Sequence, residues 1–198
     1  MSTLHAVGRY SYDDYKSLSN ATDKRYELLD GDLRVVPSPT TTHQRVLGNL
    51  FLLLAQHVNA NNLGQVLFAP VDVVFGEGAR RDVAQPDMLY VSHANKGVFT
   101  EGEVRGAPDL VVEILSPSTG SLDKGYKKVL YGRYKVSEYW LVDPQSQTIE
   151  IFALTDQGYR TAGMFRGMTN LSRNCFLHSG RIYRLYFSWV SFSSARAE

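Results

Sequence analysis

Leu110-Val111-Val112-Glu113-Ile114-Leu115 is the stretch on which the fold turns. Five of its six side chains are large aliphatics without polar alternation, the pattern of a strand buried on both faces of a sheet. Glu113 interrupts it. A carboxylate in such a strand is costly to ionise, so it needs a cation, a metal or a proton. The two-residue period of a strand puts it on the face of Val111 and Leu115.

Working outward, Gln85-Pro86-Asp87 opens a second apolar strand, Met88 to Val91. An acid at the start of a strand is well placed to reach a neighbour's carboxylate. Two such acids would hold a divalent cation, because Mg²⁺ is commonly bound by one or two carboxylates with water and phosphate oxygens completing its shell. The plain alternative is that Glu113 pairs with a buried Lys or Arg and that Asp87 caps a turn. Downstream, Ser121 to Tyr134 fits a helix. At 100° per residue Leu122, Tyr126, Val129, Leu130 and Tyr134 share one face, Lys127 lies at its border, and Lys124 and Lys128 point to solvent. Lys127 can then reach the two acids, where an ammonium would orient an attacking water or offset charge on a phosphoryl transition state. Otherwise it is a surface lysine lying along apolar atoms.

Farther out, Tyr26 to Leu29 and Leu33 to Val36 flank Asp30-Gly31, a dipeptide suited to a two-residue hairpin turn. Ser11 to Leu18 fits one or two helical turns. After Pro37-Ser38-Pro39, apolar residues from Val46 to Val58 recur at threes and fours, which predicts the longest helix over Thr42 to Asn61, closed by Asn62 and Gly64. Val66 to Phe68 and Val71 to Phe75 read as strands. Tyr139 to Val142 and Ile149 to Leu154 flank a hairpin loop at Asp143 to Gln147, with Tyr139 and Trp140 as core aromatics. The order predicts an α/β or α+β fold with a mixed sheet.

Composition narrows the class. The chain has 198 residues, 43% of them hydrophobic, with 21 Lys plus Arg against 20 Asp plus Glu and a net charge of +1. Residues 160 to 198 hold six of the basic residues and one acid, so the body is at −4 and the tail at +5. Aromatic and charged fractions of 12% and 21% exclude a disordered or collagen-like chain. A single cysteine, Cys175, excludes an internal disulfide and a thiolate-rich zinc site. With no signal peptide and no transmembrane run, a cytoplasmic protein without membrane attachment is expected. His5, His57, His93 and His178 show no metal-ligand spacing. Ser116 and Ser118 read as caps, since no nucleophile elbow surrounds them.

Several blocks resemble the Uma-two family of restriction endonucleases. They are Tyr-Glu-Leu-Leu-Asp-Gly at 26 to 31, Pro-Ser-Pro with His43-Gln44 following, Ala-Pro-Val-Asp-Val at 69 to 73, Gln-Pro-Asp at 85 to 87, the run from Gly106 to Thr119, and Glu-Tyr-Trp-Leu-Val-Asp-Pro at 138 to 144. They run in order from about Tyr12 to Leu154. The resemblance implies a restriction-endonuclease-like fold of the PD-(D/E)xK nuclease superfamily: a mixed central sheet flanked by helices, with an acid, a second acid and a lysine around Mg²⁺, for which Mn²⁺ can substitute. By position, Asp87 and Glu113 are the metal-binding acids. The usual lysine site two residues after the second acid is Leu115 here, and the resemblance moves the lysine to Lys127 on the following helix. Glu27 matches an additional N-terminal acid, as a ligand or a supporting group, and His43 matches a family position at the start of the long helix, as a participant or a cap.

The expected function is Mg²⁺-dependent hydrolysis of DNA, in a homodimer by analogy with nucleases that cut both strands. Leu115 favours a rival in which the fold is kept only as a nucleic-acid-binding or protein-binding module. A third reading directs the same chemistry to RNA or a branched junction. The expected domain is residues 1–166. Residues 167–198 form an atypical basic, aromatic segment in which Arg173, Arg181 and Arg184 would meet phosphates, unless a shifted reading frame produced it.

Overall fold

The computed structural model describes residues 10–78, 81–117 and 119–166. The expectations for the tail, including Cys175 and its arginines, and those for His5 and Ser118 lie outside these residues.

Two sheets make the frame. Strands β1 (Tyr26–Leu29), β2 (Asp32–Val35), β4 (Val73–Phe75), β5 (Asp82–Ala84) and β7 (Val104–Arg105) form a five-stranded sheet in the order β2-β1-β5-β4-β7. Strands β3 (Gly64–Phe68), β6 (Met88–Ser92), β8 (Leu110–Ile114), β9 (Glu138–Asp143), β10 (Thr148–Thr155) and β11 (Gly158–Arg166) form a six-stranded one in the order β11-β10-β9-β8-β6-β3. β8 and β9 are parallel, as are β4 and β7, and the other pairs are antiparallel. The mixed α+β fold is the one expected from the sequence.

The helices follow from local signals. Helix α1 (Tyr12–Ala21) starts at a capping box in which Ser11 and Asp14 satisfy each other's backbone N–H. Helix α2 (Thr41–Ala60) is capped by the Thr40 hydroxyl and buries Val46, Leu47, Leu50, Leu54 and Val58. The Asp30-Gly31 turn takes positive φ at both residues, 50° and 85°, which a two-residue hairpin of this twist requires.

Alternation along β8 explains the layers. Leu110, Val112 and Ile114 face α2 and share a core with Met88, Trp140 and Ile151. Val111 faces the opposite way, into a core with Leu29, Val73 and Phe75 of the smaller sheet and Leu130, Tyr131 and Tyr139. A third cluster, Tyr12, Tyr15, Tyr26, Leu28, Val74 and Val83, holds α1 against the outside of the smaller sheet. Glu113 therefore points between the two sheets, on the face of Val111 as the two-residue period predicts.

The segment after β8 departs from the regular helix expected there. Helix α3 (Gly120–Leu122) passes into a wide π-helical turn, Asp123–Lys127, and then into α4 (Lys128–Arg133). A π turn holds more residues than the 3.6 of an α-helix, so a 100° wheel loses register across it. Val129, placed inside by the wheel, is 64% exposed. Lys127, placed at the border, is buried together with Asp123. Lys128, placed in solvent, lies over the Phe152 ring at 3.4 Å. β5, β7 and β11 were not expected. The first two are only three and two residues long, and β11 pairs with β10 through a register shift between Ile151 and Phe152.

Candidate active site

A cleft of about 670 Å³ opens between the β1–β2 hairpin, the start of α2 and the β8–α3 connection. Glu27, His43, Asp87, Glu113 and Lys127, the five site residues expected from the sequence, all line it. So does Asp123, which the sequence motifs did not single out. Its position four residues before Lys127, the spacing of helical ion pairs, was the available signal.

Each side chain is set by its own element. Glu27 lies in β1, where its Oε1 accepts the backbone N–H of Gln85 at 2.9 Å and thereby ties the hairpin to the chain leading into β6. Asp87 precedes β6, and its Oδ2 accepts the N–H of Ile114, the residue after Glu113, at 2.7 Å. That bond fixes Asp87 against β8. The same oxygen lies 3.1 Å from His43 Nε2 in the first turn of α2. Where the carboxylate oxygen accepts, Nε2 donates, and Nδ1 is buried with no partner among the described residues.

Lys127 is the centre of the cluster. Its Nζ lies 2.9 Å from Glu27 Oε1, 3.1 Å from Glu113 Oε1 and 3.5 Å from Asp123 Oδ1. Tyr131, one turn on in α4, donates its hydroxyl to Glu113 Oε1 at 2.7 Å. Asp123 Oδ1 is enclosed and accepts no hydrogen bond among the described residues, where Lys127, 3.5 Å away, is its one ion-pair partner.

Three carboxylates on one ammonium, with Asp87 acting on Glu113 besides, leave the cluster acidic. Burial, and then the charges of Asp123, Asp87 and Glu27, push the Glu113 carboxyl well above its ordinary range, against the pull of Lys127. Asp123 is raised by burial too, with Lys127 and the Thr119 hydroxyl opposing. Burial alone would lower Lys127, but Glu113, Glu27 and Asp123 outweigh it and hold the amine charged. Tyr131 is raised by burial and by the same carboxylates, so its phenol stays protonated and remains a donor. Lys127 is thus an electrostatic and hydrogen-bonding group, not a base at neutral pH.

The donor chemistry fits a hard divalent cation. Asp87 uses Oδ2 for protein partners and Glu113 uses Oε1, so each has a second oxygen that accepts from no donor among the described residues. Both side chains open on the cleft. No group of three His, Cys, Asp or Glu side chains encloses a metal position among the described residues. The available set is two carboxylates with room for water and substrate oxygens, which suits Mg²⁺ better than a metal needing a full protein cage.

No helix among the described residues is long and apolar enough to cross a membrane. No curated protein matches the chain. Among solved structures, the crystal structure of "a putative nuclease belonging to DUF820" from Anabaena variabilis is similar, with a TM-score of 0.61 and 19% identity over 74% of this chain and 79% of that one. At that identity the likeness shows the fold, which is restriction-endonuclease-like. The Uma2 family, described as "Putative restriction endonuclease", matches residues 12–182, beyond the blocks legible up to Leu154. The chain belongs to the Uma2 restriction-endonuclease family.

Proposed function

We propose that the chain is an endonuclease that hydrolyses DNA phosphodiester bonds with Mg²⁺, or Mn²⁺ in its place. The observation that carries this reading is the charged Lys127 between Glu27 and Glu113 in a cleft that also holds oxygens of Asp87 and Glu113 that accept from no donor among the described residues. Those two carboxylates would hold the cation. When bound, it polarises the scissile phosphate and lowers the pKa of a coordinated water.

The protein's own groups do the positioning. The Ile114 N–H and His43 fix Asp87 by one oxygen and turn the other to the cleft. Tyr131 and Lys127 do the same for Glu113. Lys127 offsets charge that grows on the phosphoryl oxygens and orients the attacking water by hydrogen bonding. Glu27 supports this lysine, because its Oε1 accepts from Lys127 and from the Gln85 N–H, and its other carboxylate oxygen would be available to the cation as well. The lysine thus reaches from the helix the place where Leu115 could offer nothing.

Plasmid nicking by the pure protein tests the reading. Nicking should need Mg²⁺ or Mn²⁺, stop in EDTA, and vanish in Asp87→Ala and Glu113→Gln. Nicking that persists unchanged in either variant, or its absence in the wild type with both metals, would sink the proposal.

A further inference from the structure

The β1–β2 hairpin carries two guanidinium groups that the carboxylate–lysine cluster does not use. Glu27 and Arg34 are direct partners in the hairpin register, and residues directly opposed in an antiparallel pair project to the same face. Glu27 reaches Lys127, so Arg34 stands over the same cleft. Arg25, two residues before Glu27, joins it there, and both line the cleft with Asp87 and Glu113.

Among the described residues each arginine has one weak partner. Arg34 is 46% exposed, and its carboxylate partner, Asp32, is 3.8 Å away and 44% exposed. Exposed pairs of this kind contribute little. Arg25 donates one N–H to the Pro37 carbonyl at 3.3 Å, of the five that a guanidinium carries. Glu27, although beside Arg34 in the sheet, turns its Oε1 to Lys127 and to the Gln85 N–H. The cleft thus has an acidic floor and a guanidinium lip. A cation alone suits the floor and an anion alone suits the lip. A ligand that meets both is a chain of phosphates arriving at a bound cation.

We propose that Arg25 and Arg34 form a phosphate-binding subsite that grips a DNA strand at a phosphate next to the one held at the acids. The inference deepens the nuclease reading and rests on it for the placement of the scissile phosphate. Guanidinium groups suit the task, because their planar fork matches two phosphate oxygens at once. They are also needed, because the body of the chain is net acidic and would otherwise repel the strand.

Anisotropy of a labelled short DNA duplex, with Ca²⁺ in place of Mg²⁺ and over a range of NaCl, tests this on the full chain. Each single change, Arg25→Ala or Arg34→Ala, should weaken binding about 3- to 10-fold at low salt and lower the log–log salt slope by about one. The double variant should lower the slope by about two. The pair Arg25→Lys and Arg34→Lys keeps the charge and should keep the slope, with weaker binding from the lost fork. Arg160→Ala, an exposed arginine on β11, should change neither quantity. A slope unchanged in a folded double variant would overturn the subsite. If the duplex binds as described but no metal supports cleavage, the subsite stands and the nuclease reading falls. If metal-dependent cleavage proceeds in the double variant with wild-type KM, the nuclease reading stands and the subsite falls.

Discussion

Lys127 and the acids around it should respond to neutral replacement with opposite signs. Glu113 and Asp123 are raised acids, meaning that the folded protein disfavours their ionised forms. Glu113→Gln and Asp123→Asn remove charge from an over-acidic cluster and keep the side-chain shape, so each should raise stability in EDTA by about 1–2 kcal/mol, or roughly 2–8 °C in Tm. Lys127→Met leaves Glu27 and Glu113 buried without their cation and should cost about 3–5 kcal/mol. Thermal melts of the three variants in EDTA decide it, and a loss of stability in both acid variants would show that the cluster is not overloaded. In cleavage assays Asp123→Asn should lower kcat more than it raises KM, because Asp123 acts through the Lys127 ammonium it pairs with. The same physics governs what the sequence disclosed. Glu113 and Asp87 stood out because each carboxylate sits in or against an apolar strand. Asp123 sits in a polar helical segment, where nothing marks a buried acid apart from its distance to Lys127.

Two elements depend on buried acids with opposite pH behaviour, β9 on its own Glu138 and helix α1 on Glu103, which precedes β7. In β9, Glu138 accepts from Trp140 Nε1 at 3.0 Å, and burial pushes its carboxyl up to about 7 although that bond opposes the rise. Between about 4.5 and 7 the folded state holds the proton more tightly than the unfolded chain, so stability falls as pH rises through this window. Glu138→Gln should therefore gain roughly 2–3 kcal/mol at pH 8 and almost nothing at pH 4. Equal gains at both pH values would mean that packing, not charge, is responsible. Helix α1 behaves the other way. Burial would raise Glu103, but Lys16, Arg105 and Tyr12 donate to it and hold it down at about 2. Its contribution is complete above about 4.5 and is lost as pH falls towards 2. With Lys16 36% and Arg105 55% exposed, we expect about 1 kcal/mol, visible as faster amide exchange in α1 at pH 3 than its intrinsic rate predicts. At this scale the sequence was readable where one period held throughout, as in α2 and β8. It failed at Asp123–Lys127, where the wide turn rotates the helix and exposes Val129, and at β5 and β7, too short to show any period.

The cluster joins parts of the molecule that are otherwise held together by apolar contact. Glu27 comes from the smaller sheet, Glu113 from the larger, Asp87 from the connection between them and Lys127 from the helical segment that links β8 to β9. The family blocks in the sequence were fragments of this one arrangement, legible singly, whereas the two-sheet frame that unites them depends on strands the sequence did not announce. Without a cation the frame closes over mutually repelling carboxylates. A divalent ion binding only the folded state stabilises the whole domain by mass action, by about 2.7 kcal/mol when its concentration is a hundred times its Kd. For a chain of this length that is about 5–10 °C in Tm. Titrating Mn²⁺ into the metal-free protein should therefore raise Tm progressively, and the rise should disappear in Asp87→Ala and Glu113→Gln but survive in Arg34→Ala, which alters the lip and not the floor. The acid variants start from different baselines, so the comparison is of slopes against the logarithm of Mn²⁺ concentration. A wild-type slope no steeper than that of Glu113→Gln would mean that the cation does not bind at these carboxylates, whatever activity is measured.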